Sequence, residues 1–338
     1  MNILVRADGS FKRGMGHISK QTTLCRKLRE LGHEILFITP KNEATYGILR
    51  ENGFLFKEMH GDALTNINEF IDEFSPDVII LDILDTTSEY IHGLRKYGAK
   101  IVTFDNVDVS AFECDLIFNV MYYHSPEIKK GINHSALYEG YRYIIMDEIY
   151  KGVPSLNNHE VRRILLTQGG ADTANKTCVL LESLLSVRKL TPIPFSIDMV
   201  VGPAFDAENV KNIEKLAAEN DMIHIHYNAK GLAKLLALCN MAVTAGGTTM
   251  WEVASCKRPF YILINEAFED ETARLISSLG FGLYDGVSPS RERVESSLAR
   301  LITDVSLRME MIDKMEQYAL SRGVDRIIEK MREHQVLV

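Results

Sequence analysis

Short apolar runs and amphipathic segments alternate along this chain from its first residues, and that rhythm limits the fold more than any single motif does. Strands are predicted at Asn2 to Arg6, Glu34 to Thr39, Phe54 to Lys57, Asp77 to Leu81, Lys100 to Phe104 and Asp115 to Asn119. Between them, Ile18 to Leu31, Ala44 to Asn52, Ala63 to Phe74 and Ser88 to Tyr97 carry apolar residues three and four apart, the period of a helix. Repeated βα units of this kind need a parallel sheet covered on both faces. Gly32 and Gly53 mark helix ends at which the chain turns back. The rhythm lapses at Lys151-Gly-Val-Pro-Ser-Leu-Asn-Asn-His159, a polar stretch rich in turn formers. It restarts with Arg163 to Thr167, Phe195 to Val201, Met222 to His226, Met241 to Thr244 and Phe260 to Ile264. The expectation is an α/β chain of two doubly wound domains, 1–150 and 151–338, whose strand carboxyl ends face a central ligand cleft. Val294 to Glu333 reads as wholly helical and able to pack back across the domain boundary.

With 338 residues, 46% hydrophobic and 25% charged, the chain has the composition of a globular protein too long for one core. A net charge of -8 and the lack of a dense Lys/Arg run argue against a nucleic-acid partner. Cys25, Cys114, Cys178, Cys239 and Cys256 are odd in number, widely spaced and without a CxxC pair. That is the pattern of reduced cytoplasmic thiols, with neither a disulfide framework nor a zinc site. Arg6 and Asp8 interrupt the first apolar run before it reaches the length of a leader or membrane span, so the expected location is the cytoplasm.

The first strand runs into Arg6-Ala-Asp8-Gly9-Ser10-Phe-Lys-Arg-Gly14-Met-Gly16-His17. A glycine-rich loop between a strand and a helix start gathers free backbone N–H groups and can aim them at a phosphate or sugar ligand. A histidine in the first helical turn can exchange a proton with substrate or water. The alternative is an ordinary turn followed by a surface histidine. Two further glycine turns follow predicted strands, Gly169-Gly170-Ala-Asp172 and Gly246-Gly247-Thr248-Thr249-Met-Trp-Glu252. Neither matches a dinucleotide or Walker pattern. The second suits a diphosphate, with the Thr248 and Thr249 hydroxyls beside a helix N-terminus. Glu252, one turn on, can accept hydrogen bonds from the vicinal hydroxyls of a ribose. The alternative is that Gly246-Gly247 serves helix–sheet packing and Glu252 the helix dipole.

No metal-ligand spacing is found. Asp105, Asp108 and Asp115 read as solvated loop carboxylates, and His224 with His226 as a partly exposed sheet face lacking a third ligand. Met121-Tyr-Tyr-His124 can form an aromatic platform or pack on Lys151 to His159, the expected domain linker, and Trp251 reads as core. No GxSxG or Cys/His signature points to a covalent nucleophile.

Taken in order, Arg6-x-Asp8-x-Ser10, Gly14-x-Gly16-His17, Gly169-Gly170-x-Asp172 and Ala245-Gly246-Gly247-Thr248 with Glu252 resemble a known family. It is that of the UDP-2,4-diacetamido-2,4,6-trideoxy-β-L-altropyranose hydrolases of pseudaminic acid biosynthesis, with the wider set of spore-coat-polysaccharide-type proteins. The resemblance implies a GT-B fold, two Rossmann-like domains with a UDP-sugar in the cleft and the nucleotide held mainly by the C-terminal domain. It implies His17 as the general base that activates water against the anomeric carbon, with Asp8 helping to orient that water. Arg6, Ser10, Gly14 and Gly16 would bind on the sugar side. Gly169, Gly170, Asp172, Gly246, Gly247, Thr248, Thr249 and Glu252 would bind the nucleotide. UDP would leave by cleavage of the sugar C1–O bond without a metal ion or cofactor, in a monomer or homodimer serving surface-glycan biosynthesis. A glycosyltransferase of the same fold and a non-catalytic nucleotide-sugar-binding partner are the alternatives. The chain departs from the family's pattern at Lys20, where arginine is usual, and at Asp105-Asn106, where the family has two aspartates. After Asp82, Ile83-Leu84-Asp85 stands where an aromatic or histidine is usual. The family's last-loop Asn-Gln pair aligns with either Asn265-Glu266 or Phe268-Glu269.

Overall fold

The computed structural model describes residues 1–8, 16–59, 63–83, 86–106, 109–120, 136–156, 159–227, 229 and 231–338. Ser10, Gly14, Asp108 and the segment 121–124 lie outside the described residues. The chain divides into two units, Met1–Asp147 with Ser321–Val338, and Glu148–Leu320.

Among the described residues, the first unit holds a parallel sheet of β1 (Asn2–Ala7), β2 (Glu34–Pro40), β3 (Leu55–Met59), β4 (Val78–Asp82), β5 (Lys100–Phe104), β6 (Leu116–Asn119) and β7 (Leu137–Glu139). Their order is β3-β2-β1-β4-β5-β6-β7. The helices α1 (Gly16–Glu30), α2 (Glu43–Glu51), α3 (Ala63–Phe74) and α4 (Ser88–Arg95) lie between the strands in sequence. Alternation along each strand feeds two cores. Ile3, Val5, Val78 and Ile80 pack with Ile18, Leu24 and Leu28 of α1. Leu4, Ile79 and Leu81 pack with Ile67 and Ile71 of α3 and Tyr90, Ile91 and Leu94 of α4. Burial on both faces is why these strands read as unbroken apolar runs.

The segment from Val294 is broken rather than wholly helical. Helix Arg291–Thr303 stops at Asp304, whose carboxylate accepts from the Leu307 N–H at 2.9 Å and starts helix Val305–Tyr318. Ala319 then takes a left-handed φ of 48° ahead of helix Gly323–Glu333. Val324, Ile327, Ile328 and Met331, spaced i, i+3, i+4 and i+7, enter the α1 core of the first unit together with Val336 and Leu337. Gly323 lies against the Ile144 carbonyl with no room for a Cβ. That apolar stripe explains why Ser321–Val338 sits with the first unit and not with the rest of 151–338.

The second unit repeats the plan with β8 (Arg163–Thr167), β9 (Ser196–Val201), β10 (Ile223–Tyr227), β11 (Met241–Thr244), β12 (Phe260–Ile262) and β13 (Gly282–Tyr284). All pairs are parallel, in the order β10-β9-β8-β11-β12-β13. Two buried arginines fasten the segment after Tyr150 to this unit through carbonyls. Arg258 donates to Leu236, Cys256 and Pro154, and Arg308 to Leu301, Ile302 and His159. In each sheet the order reverses beside the first strand, between β1 and β4 and between β8 and β11. Doubly wound sheets bind ligands outside the strand carboxyl ends at that reversal.

Candidate functional site

In the first unit the parallel register sets Ala7, the last residue of β1, beside Asp82, the last of β4. Asp82 is fully buried. Opposite it, α1 presents His17, Lys20 and Gln21, whose i, i+3 and i+4 spacing puts them on one helix face. His17 Nδ1 lies 2.5 Å from Asp82 Oδ1, Gln21 Nε2 donates to Oδ2 at 2.9 Å, and Lys20 Nζ is 3.6 Å from Oδ1. Burial pushes the Asp82 carboxyl up, yet Lys20, His17 and Gln21 together hold it below the usual carboxylate value. An ionised carboxylate only accepts, so in the neutral ring the proton sits on Nδ1 and the Nε2 lone pair is left able to accept one. The His17 side chain keeps 17% of its surface exposed.

Lys20 also reaches the end of β5, with Nζ 2.8 Å from the Oδ2 of Asp105, the residue that follows the strand. Asp105 is not the solvated loop carboxylate its sequence context suggests. It is buried at a left-handed φ of 48°, and its Oδ1 accepts from the Val120 N–H at 2.8 Å. Asp115 likewise accepts from the Ile101 N–H at 2.8 Å. Asn106 donates to Thr86 Oγ1 at 2.7 Å. Arg6, buried at the end of β1, donates to the Tyr90 hydroxyl at 3.2 Å and, through Nε and Nη2, to Asp8 at 3.4 and 3.3 Å. Burial works against its charge, but Tyr90 and Asp8 hold its pKa above the ordinary arginine value. Asp8 is therefore the partner of Arg6, while the ring of His17 is oriented by Asp82. The signal for Asp82 is present in the sequence: a carboxylate closing a wholly apolar strand, and a polar i, i+3, i+4 face on the helix that follows the glycine loop.

In the second unit three strand-end loops meet. After β8, Gly169 has a φ of 74°, and its carbonyl and that of Gly170 press against Gly202, where a Cβ has no space. Asp172 is buried, with Oδ1 accepting from the Lys176 N–H at 2.8 Å and Oδ2 from the Thr177 N–H at 3.0 Å and Asn209 Nδ2 at 2.8 Å. Both oxygens thus face protein donors, and the carboxylate shapes the turn and starts helix Lys176–Leu190. After β11, a Cβ on Gly246 would lie 2.5 Å from the Glu269 Cβ. The buried Glu269 carboxylate accepts from the N–H groups of Gly246 at 3.3 Å, Asn265 at 2.8 Å and Glu266 at 3.3 Å. Thr173 donates to Glu266 at 2.5 Å, joining the β8 loop to the β12 loop. In that last loop Asn265 Nδ2 turns to the Gln168 carbonyl at 3.4 Å, whereas Phe268 is 81% exposed.

Thr248 and Thr249 open helix Thr249–Ser255, and Glu252 lies in its first turn. The Tyr150 hydroxyl donates to Glu252, and burial together with that carboxylate pushes Tyr150 well above the usual phenol value. Trp251 is core. His224 is exposed, and His226 Nε2 lies 2.7 Å from the buried Asp198, which Arg163 also engages. Among the described residues no group of three or more His, Cys, Asp or Glu is placed to hold a metal, and no helix is long and apolar enough to cross a membrane.

No known family profile matches the chain. It is 30% identical over 284 residues to an uncharacterized protein of Methanocaldococcus jannaschii, covering 80% of this chain and 57% of that longer protein. It is 20% identical over 285 residues to the UDP-2,4-diacetamido-2,4,6-trideoxy-beta-L-altropyranose hydrolase of Campylobacter jejuni, covering 83% of this chain and 98% of that one. To the spore coat polysaccharide biosynthesis protein SpsG of Bacillus subtilis it is 20% identical over 337 residues, covering 95% and 91%. Among solved structures, UDP-GlcNAc 2-epimerase from Neisseria meningitidis bound to UDP-GlcNAc superposes with a TM-score of 0.70 at 12% identity, covering 98% of this chain and 100% of the other. A glycosyltransferase from Rickettsia africae gives 0.64 at 16%, covering 99% and 98%. The fold is GT-B, built of two Rossmann-like parallel-sheet units. In sequence the chain is a divergent relative of the Campylobacter hydrolase and of SpsG.

Proposed function

We propose that this chain is a metal-independent UDP-sugar hydrolase that cleaves the sugar C1–O bond of an amino or deoxy sugar in surface-glycan biosynthesis. The observation that carries the reading is the His17–Asp82 pair at 2.5 Å, which leaves Nε2 as a base at the sheet reversal of the first unit. In this mechanism Nε2 takes a proton from the attacking water, with Asp8 orienting that water. Oxygen bonds to C1 as the C1–O bond breaks with inversion, and the bonding pair leaves with UDP. Asp82 stabilises the imidazolium that forms. The Gly169-Gly170 turn and the turn at Gly247, with the Thr248 and Thr249 hydroxyls, stabilise the departing diphosphate, Gly246 being held by Glu269 as the packed root of the second turn; Asp172 supports the first turn, and Glu252 holds the ribose. Arg6, Ser10, Gly14 and Gly16 would line the sugar side. The same base can instead take the proton of an acceptor hydroxyl. That transferase reading is favoured by the fold shared with the Rickettsia glycosyltransferase.

Incubating the purified protein in chelator with a panel of nucleotide sugars and no acceptor separates the two. The expected result is equimolar free UDP and free sugar from a UDP-sugar. UDP release only on adding an acceptor would make the protein a transferase, and preference for CMP- or GDP-sugars would overturn the uridine assignment.

Glu252→Gln keeps size and an acceptor oxygen but removes the charge. It is expected to weaken UDP binding by about 1.5–3 kcal/mol, the worth of a charge-assisted hydrogen bond, in titration calorimetry, and to leave the binding of free uracil unchanged. Unchanged UDP affinity with a lower Tm would mean that Glu252 serves only as the partner of Tyr150.

A further inference from the structure

Lys20 belongs to none of the glycine motifs, yet it stands between two buried carboxylates. Its ammonium is 2.8 Å from Asp105 Oδ2 and 3.6 Å from Asp82 Oδ1, the oxygen that also meets His17 Nδ1. Asp105 is fixed on its far side by the Val120 N–H, so the ammonium links the ends of two neighbouring strands, β4 and β5. Among the described residues, His17, Lys20 and Gln21 of α1 meet the Asp82 carboxylate, Asp105, just past β5, stands behind Lys20, and the Arg6–Asp8 pair closes β1, the strand paired with β4. Gln21 contributes no charge. Lys20 is therefore the only permanent cation within 4 Å of Asp82 among these groups.

We propose that Lys20 is the positioning residue of the base: by bridging Asp82 to Asp105 it keeps Asp82 an ionised acceptor, and so keeps the proton of His17 on Nδ1. This rests on the reading of His17 as the base. A carboxyl taken fully out of water favours its neutral form, and a second carboxylate nearby adds to that preference. A protonated Asp82 would itself be a donor and would no longer require the Nδ1–H tautomer. The opposing influence is on the page: burial pushes Asp82 up, and Lys20 leads the partners that bring it below the usual value.

Lys20→Met keeps the long apolar stem and removes the charge. In the ligand-free protein, ¹³C NMR of the side-chain carboxyls, assigned with Asp82→Asn, reads Asp82 directly. Its titration midpoint is expected to rise by about one pH unit or more in Lys20→Met and to stay near the wild-type value in Lys20→Arg. The acid limb of the kcat/KM profile on the responding UDP-sugar should rise with it. Should Lys20→Met fail to fold, Asp105→Asn tests the same balance with the opposite sign, because it removes the competing carboxylate and leaves Lys20 to Asp82. An Asp82 midpoint that stays put in Lys20→Met, or a uniform fall in kcat with an unmoved acid limb, overturns the proposal. If no UDP-sugar is turned over by the wild-type protein, the hydrolase reading fails, and the carboxyl titration still decides the role of Lys20.

Discussion

His17→Ala is expected to lower turnover of the responding UDP-sugar by about a hundred- to ten-thousand-fold, the contribution typical of a general base, while UDP affinity changes little. The two effects are expected to separate because the proposed base and the proposed nucleotide turns belong to different units: His17 lies in Met1–Asp147, and Gly169, Gly246 and Glu252 lie in Glu148–Leu320. Alanine removes the acceptor of the water proton but none of the groups assigned to the diphosphate or ribose. Single-turnover kinetics with UDP titration in parallel give both numbers. Equal losses would make His17 a binding residue, and an unchanged rate would remove it from the mechanism.

Asp82→Asn is expected to approach the same loss, on the order of a thousand- to ten-thousand-fold in kcat, through the tautomer and not through removal of the base. Gln21 Nε2 donates to one carboxylate oxygen, so the asparagine carbonyl stays there and its NH2 turns toward His17 Nδ1. An NH2 donor at Nδ1 drives the ring proton to Nε2, where the lone pair is needed. ¹⁵N NMR of the ring distinguishes the two tautomers. A variant that keeps the Nδ1–H signal and works within about tenfold of wild type would show that Asp82 does not orient the base.

The parts of the fold legible in the sequence are those whose physics is local. Lys100–Phe104, Arg163–Thr167 and Met241–Thr244 form strands within their predicted bounds, because central parallel strands must be apolar on both faces. The edge strands Leu137–Glu139 and Gly282–Tyr284 are three residues each, too short to show a period. The helical reading of Val294 to Glu333 missed Asp304 because an N-capping aspartate and a solvent-facing helical one are the same letter. The site divides in the same way. His17 and the glycine turns are contiguous motifs, whereas Asp82 comes from 65 residues further on and acquires its role only when β1 and β4 pair. Asp172 and Glu269 show the converse. A carboxylate near a helix start reads identically whether it meets a ligand or, as in both of these, satisfies backbone N–H groups.

The placement of Gly323–Glu333 bears on how the protein is made. Val324, Ile327, Ile328 and Met331, with Val336 and Leu337, complete a core whose other members all lie between Ile3 and Ile145. The whole of Glu148–Leu320 must leave the ribosome before those side chains exist. At about 5–20 residues per second, that interval is on the order of ten seconds or more. During it the face of the nascent sheet that bears this core is covered by α1 and α2 but lacks the C-terminal helix, and the apolar positions that helix packs on are open to chaperones or to neighbouring chains. The core of the unit that bears His17 is thus begun before Glu148–Leu320 is translated and completed only after it.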